Sequence, residues 1–129
     1  MSDNIFGISE KALQLCEDRA VLLTNNIVNS STPNFKARDI DFHKLVKSAE
    51  QSSGTLLKSD PNHLGSATTV NSEDVLYRVP MQKSADGNTV DDDIERKNFV
   101  ENALRYQVNL TFVQNKSDQL MKAIKGEQA

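Results

Sequence analysis

Few side chains in this sequence have the types and spacing that chemistry requires. His43 and His63 are the only histidines, and neither sits at metal-ligand spacing with another ligand. His43 lies beside Lys44 in a short helical pattern and reads as a solvated surface residue. His63 follows a turn and reads as a loop residue. The run Asp91-Asp92-Asp93 could hold a cation, but three carboxylates at a helix start are more often caps and partners of the helix dipole. Cys16 is the only cysteine. It has no internal disulfide partner and falls among apolar neighbours at helical spacing, as an inert buried thiol does. No Gly-rich phosphate loop, nucleophile elbow or paired-carboxylate arrangement is present. The expectation is a protein without catalytic residues, cofactor or metal.

Composition bounds what the chain can build. Its 129 residues suit one domain, yet only 37% are hydrophobic and 5% aromatic, with no Trp. A compact core draws much of its buried area from large aromatics. Such a sequence suits long helices that bury narrow stripes, partly against other subunits. The net charge of −3 comes with no basic run, which argues against nucleic acid as a partner. No apolar run is long enough to span a membrane, and no basic-then-apolar leader opens the sequence. The expectation is export, if any, without a cleaved signal and no direct membrane insertion. The sequon matches at Asn29, Asn109 and Asn115 then read as chance hits in an Asn-rich chain.

The elements that position these residues follow from periodicity. Ile5, Ile8, Ala12, Leu15 and Leu22 recur in steps of three and four, and Cys16 and Leu23 widen the stripe. This predicts a coiled-coil-like helix to about Val28, with Arg19 and Asn26 as polar interruptions that fix register. Asp39 or Asp41 can cap a second, short helix whose apolar face is Phe42, Leu45, Val46 and Ala49. It stops at Gln51-Ser52-Ser53-Gly54. Residues 55–89 are poorly patterned. Turns fall at Ser59-Asp60-Pro61-Asn62 and Asp86-Gly87-Asn88, and the alternation of Val75, Tyr77 and Val79 allows a short strand.

The last third predicts the longest helix. Acidic residues from Asp91 to Glu95 stand at its start, and Lys122 and Lys125 at its end. Phe99, Ala103, Tyr106, Leu110, Val113, Ser117, Leu120 and Ile124 keep a four-three alternation. A second set, Val100, Leu104, Val108, Phe112 and Met121, gives a wide apolar surface that one partner helix would not cover. The expected fold is dominated by α-helix. Two long terminal helices (1–29 and 90–129) pack as an antiparallel, coiled-coil-like pair. Between them lie a turn with a short helix (30–54) and a small irregular middle (55–89). Ile8, Ala12, Leu15, Leu22, Phe99, Ala103, Tyr106, Leu110, Val113, Leu120 and Ile124 are the expected assembly surface.

Between the first two helices lies Asn25-Asn26-Ile27-Val28-Asn29, then Thr32-Pro33-Asn34-Phe35-Lys36. Asparagine, serine and threonine compete with helix here, and Thr32 precedes proline. Asn34 is a residue type that tolerates positive φ. The stretch resembles the signature of flagellar axial proteins, Ala-Asn-Asn-(Ile/Leu)-Ala-Asn-x-x-Thr-x-Gly-(Phe/Tyr)-Lys. It departs from that pattern at Thr24, Val28 and Asn34. Phe6-Gly7-Ile8, Lys11-Ala12-Leu13, Lys36 to Phe42, Asp86 to Asp91 and Glu101 to Gln107 narrow the resemblance to the short proteins of the flagellar basal-body rod.

That resemblance implies a structural subunit of the proximal rod, the drive shaft of the bacterial flagellum, which transmits torque and encloses the export channel. It implies export by the flagellum's own type III apparatus and a periplasm-spanning location. Implied partners are other rod proteins, further copies of the chain, and the inner-membrane ring with its adaptor proteins. The terminal helices would pack against neighbouring subunits and be poorly ordered alone. Alternatives are the other short rod type and a soluble helical adaptor or chaperone.

Overall fold

The computed structural model describes residues 6–53 and 74–126. Five elements follow in order: α1 (Gly7–Val28), β1 (Arg38–Ile40), α2 (Phe42–Ser53), β2 (Val75–Tyr77) and α3 (Asp92–Lys125). At 1.5 Å per residue, α1 extends about 33 Å and α3 about 51 Å. They run antiparallel, because Asn26 meets Glu95 while Cys16 meets Asn102. The helix-dominated fold expected from periodicity is the one found. Residues 54–73, with Gly54 of the expected helix stop, the turn at Pro61 and His63, lie outside the described residues, as does Ile5.

Local chemistry sets the boundaries. The Asp91 carboxylate accepts the Ile94 N–H at the start of α3, and Asp92, Asp93 and Glu95 stand in the first turn. Lys122 and Lys125 occupy the last turn, and Gly126 ends the helix at φ 67°, where a glycine meets no Cβ penalty. Of the two candidate caps for α2, Asp41 serves: its carboxylate accepts the Lys44 N–H. Asp39 instead belongs to β1, which pairs antiparallel with β2 in the register Arg38–Tyr77, Asp39–Leu76 and Ile40–Val75. The alternation around Val75 therefore marks a real strand. Its partner was not expected, because Arg38-Asp39-Ile40 has no apolar alternation to announce it.

Among the described residues the buried apolar side chains are Ala12, Leu15, Cys16, Leu23, Ala37, Ile40 and Ala49. Five polar residues are buried with them: Arg19, Asn26, Asn88, Glu95 and Asn102. α3 thus turns a polar side toward α1. Glu95 (0% exposed) and Asn102 (2% exposed) sit one heptad apart on it, and Asn102 donates its amide to the Cys16 carbonyl at 2.8 Å. Val100, Leu104 and Phe112 point the other way and are 66%, 67% and 62% exposed. No helix among the described residues is long and apolar enough to cross a membrane.

This orientation has a direct test in denaturant unfolding. Leu23→Ala removes a fully buried side chain and should cost about 3 kcal/mol. Leu104→Ala should change stability by less than about 0.5 kcal/mol. Equal costs at the two positions would reverse the assignment of inner and outer faces.

Candidate functional site

The residues that matter most are polar and lie where α1 hands the chain to β1. Asn26, in the last turn of α1, uses its whole amide. Its Nδ2 donates to the Arg38 carbonyl at 2.7 Å and to Glu95 Oε2 at 3.1 Å, and its Oδ1 accepts the Arg38 N–H at 3.1 Å. Asn26 therefore pairs with β1 as a strand would and reaches α3 in the same step. Two residues at this spacing on α1, Arg19 and Asn26, both face inward, one turn of heptad apart.

Arg19 closes the next contact as a fork, Nε to Asp39 Oδ1 at 2.9 Å and Nη2 to Asp39 Oδ2 at 3.1 Å. Arg78, just after β2, adds its Nη2 to Asp39 Oδ2 at 2.6 Å and pairs through Nη1 with Glu95. Two guanidiniums and two carboxylates are thus interleaved among α1, β1, the end of β2 and α3. Partly buried pairs of this bidentate kind are strong only when every group is satisfied, and here the neighbouring backbone completes the set. Ile40 N–H donates to Asp39 Oδ1.

The two carboxylates respond to this environment in opposite directions. Burial alone would raise Asp39, but the Arg19 guanidinium, the Ile40 N–H and the charge of Arg78 together outweigh it and hold the carboxyl below its ordinary value. At Glu95 burial dominates and pushes the carboxyl up, with the Asn26 amide and Arg78 offsetting only part. Burial is the largest influence on both; Asp39 has the Arg19 fork and a backbone N–H to offset it, while Glu95 also faces the charge of Asp39. Burial likewise raises the Cys16 thiol.

Next to this junction the Asn-rich turn is strapped down by residues 86–89. Asn88 Nδ2 points at three backbone carbonyls, those of Asn29 (3.1 Å), Ser30 (2.8 Å) and Thr32 (2.9 Å), while its Oδ1 accepts the Val90 N–H. Asn34 N–H donates to the Asp86 carbonyl, Thr89 N–H to the Phe35 carbonyl, and Ala37 N–H to Thr89 Oγ1. Lys36 Nζ donates to the Gly87 carbonyl at 2.8 Å. Asn34 takes φ 60°. Gly87 opposite it, at φ 76°, is glycine for a second reason: a Cβ there would stand 2.5 Å from Asn34 Oδ1. Within the turn Asn29 Nδ2 donates to Asn25 Oδ1, and Thr32 Oγ1 donates to Asn29 Oδ1. Pro33 is exposed and Phe35 half-buried.

The candidate assembly residues divide. Ala12 and Leu15 lie inside the α1–α3 contact. Leu22, Tyr106, Leu110, Val113 and Leu120 are half-buried, and Ile8, Phe99, Ala103 and Ile124 are exposed. Among the chemically capable residues, His43 is exposed with its ring edge against Phe42. Asp91 is a cap, and Asp92 pairs with Arg96. Among the described residues no cluster of three His, Cys, Asp or Glu could hold a metal ion. Periodicity missed Asp39, Arg78, Glu95 and Asn88. Only Arg19 and Asn26, polar on an apolar seam, signalled the junction.

A long antiparallel helical pair, closed by an ionic junction and leaving an apolar face outward, defines a structural helical subunit. No protein-family model matches the chain. Curated relatives do. It is 43% identical over 121 residues to a flagellar basal body rod protein FlgB of Cereibacter sphaeroides, covering 94% of both chains. The FlgB proteins of Aeromonas hydrophila (40% identity, 98% of this chain and 96% of the relative) and Salmonella typhimurium (39%, 96% and 95%) are similar along their whole length. The chain belongs to the FlgB family of flagellar basal body rod proteins, and its role is that of a structural component of the proximal rod.

Two measurements check the geometry. Asn88→Ala removes a side-chain donor shared by three carbonyls and should cost about 2 kcal/mol; Asn88→Asp, which faces them with a carboxylate, should cost more. For the junction the sign follows from Asp39, whose folded carboxyl lies below its unfolded value. Its contribution is complete above about pH 4 and is lost as pH falls below that. Glu95, raised on folding, works oppositely, so protonating it does not itself unfold the chain. Asp39→Asn should therefore be less stable than wild type at pH 7 and lose less on acidification below pH 4. Parallel pH profiles would remove Asp39 from the account.

Proposed function

We propose that this chain polymerises in the rod through its two terminal helices, forming part of the shaft that transmits torque and surrounds the export channel. The observation that supports this reading is the outward stripe of Val100, Leu104, Val108 and Phe112 on a helix whose inward side is polar. Apolar residues held outward along about 18 Å of rigid helix are a surface that needs neighbours. Phe99, Ala103 and Ile124 extend that surface, Tyr106, Leu110 and Val113 border the seam with α1, and Leu120 lies past the turns opposite Gly7. Toward the end of α3, Met121 and Ile124 are exposed as well, past the turns that α1 covers.

The partners in this reading are further copies, other rod proteins, and the inner-membrane ring with its adaptors. The chain reaches them through the flagellar type III export apparatus. Its work is mechanical, and no residue acts as a catalyst. The junction suits it to carry load, because moving α1 against α3 would separate Asn26 from Glu95 and the Asn102 amide from the Cys16 carbonyl.

Deleting the gene should abolish flagella and swimming. Complementing the deletion with Phe112→Asp, an exposed position, should give wild-type amounts of chain and no incorporation into isolated basal bodies. Normal swimming in the deletion strain would refute the rod role. Full incorporation of Phe112→Asp would remove the outward stripe from the assembly surface.

A further inference from the structure

The two-stranded sheet has one closed edge and one open edge. The Arg78 N–H donates to the Ala37 carbonyl, and the register sets Asp39 opposite Leu76. Bonded pairs alternate with unbonded ones along an antiparallel ladder, so Arg38, Val75 and Tyr77 turn their backbone groups away from the partner strand. On the β1 side that edge is filled, because the Asn26 amide takes both the N–H and the carbonyl of Arg38. On the β2 side, among the described residues, nothing bonds the outward N–H and carbonyl groups of Val75 and Tyr77.

The side chains at the open edge are apolar and exposed: Leu76 53%, Tyr77 69% and Val79 85%. Val75-Leu76-Tyr77 carries no lysine or proline and pairs with β1 in an unbroken register, so the usual means of blunting an edge are missing from it. Such an edge fits an extended strand, and β2 is itself one. Turned antiparallel about Leu76, a second β2 sets Val75 opposite Tyr77 of the other copy and Tyr77 opposite its Val75. All the outward backbone groups of both strands are then bonded. Charge does not oppose the match. Asp74 falls opposite Arg78 of the other copy, itself already held by Asp39 and Glu95. The two Arg38 side chains stand three strand spacings apart, about 14 Å, beyond the screening length at physiological salt.

We infer that two copies join β2 edge to β2 edge as a twofold dimer, extending the hairpin into a four-stranded sheet. The contact uses no part of the outward stripe of α3 and stands apart from the rod role. Asn26 closes the far edge of each β1, so the sheet ends at four strands and the association stops at two copies. Leu76, Tyr77 and Val79 present on the order of 400 Å² per copy, half of the roughly 800 Å² that each partner gives to a stable interface. The dimer is therefore weak and reversible. In a chain not yet built into the rod it covers an edge that would otherwise template wrong pairing.

The test is sedimentation velocity of the full chain carrying Leu104→Asp and Phe112→Asp, exposed positions that disable the α3 stripe and leave β2 untouched. Monomer and dimer alone should exchange as concentration rises, with little response to salt. Tyr77→Pro removes an outward donor that β1 does not use and should raise the dissociation constant at least tenfold. Tyr77→Lys keeps the whole backbone and should act in the same direction. Register is read by cross-linking in a Cys16→Ala background, which removes the buried native thiol. The two Leu76 Cα atoms face each other as a wide pair about 4.5 Å apart, within disulfide reach. Leu76→Cys should therefore form linked dimer under mild oxidation at least tenfold faster than Val79→Cys, although Val79 is the more exposed.

A chain that stays monomeric at all concentrations, species beyond the dimer, or Tyr77 variants that associate like their parent would each overturn the pairing. So would Val79→Cys linking as fast as Leu76→Cys. Any of these results leaves the rod role standing and removes only this contact.

Discussion

The fold depends on one buried ionic junction. Asp39 holds Arg19 from α1 and Arg78 from the end of β2, Arg78 holds Glu95 from α3, and Asn26 joins Glu95 to the β1 backbone. Among the described residues the apolar contacts are modest, because four of the seven buried apolar residues there are alanine or cysteine. A core of that size cannot by itself decide how α1, the hairpin and α3 are set against one another. Directional bonds can, since a slip of one residue would leave a guanidinium or carboxylate buried without its partner, which costs several kcal/mol. The junction specifies the arrangement more than it adds net stability.

Its second consequence is the rotation of α3. Glu95 and Asn102 must face α1, so the strongest apolar residues of the helix must face away. In an isolated globular domain that arrangement would be a fault. In the assembly proposed for the rod, the inside of the pair sets geometry and the outside supplies adhesion. The strap of residues 86–89 serves the same end by fixing the angle at which the chain leaves α1. Asn88 fills the centre of the Asn-rich turn, offering N–H groups to three converging carbonyls.

Much of this was readable from residues, and the limits were physical. Both long helices, an acidic start within Asp91-Asp92-Asp93, the basic end at Lys122 and Lys125 and the strand at Val75 follow from periodicity and local chemistry. The inner face of α3 does not. Counting apolar residues finds two stripes on that helix, and the one beginning at Phe99 keeps the stricter alternation. Its half-buried members Tyr106 and Val113 only flank the seam, whose deepest positions are Glu95 and Asn102. Polar residues are buried only when partners arrive from elsewhere, and theirs come from α1 and from Arg78, up to 86 residues away in sequence. β1 was hidden for the same reason, because Arg38-Asp39-Ile40 is held by Asn26 and Arg19 rather than by an apolar face. Asn34 was readable as a site for positive φ. The reason Gly87 faces it was not, since that contact spans the whole middle segment.

The central claim is that α3 keeps its polar side toward α1 and its apolar side toward neighbouring subunits. A density map of the assembled basal body at side-chain resolution tests it most directly. The account predicts Arg19, Asp39, Arg78 and Glu95 joined within each subunit, with Val100, Leu104, Val108 and Phe112 buried against a helix of another subunit. A rod in which those four apolar residues face solvent or the channel, or in which Glu95 has turned outward, would contradict it.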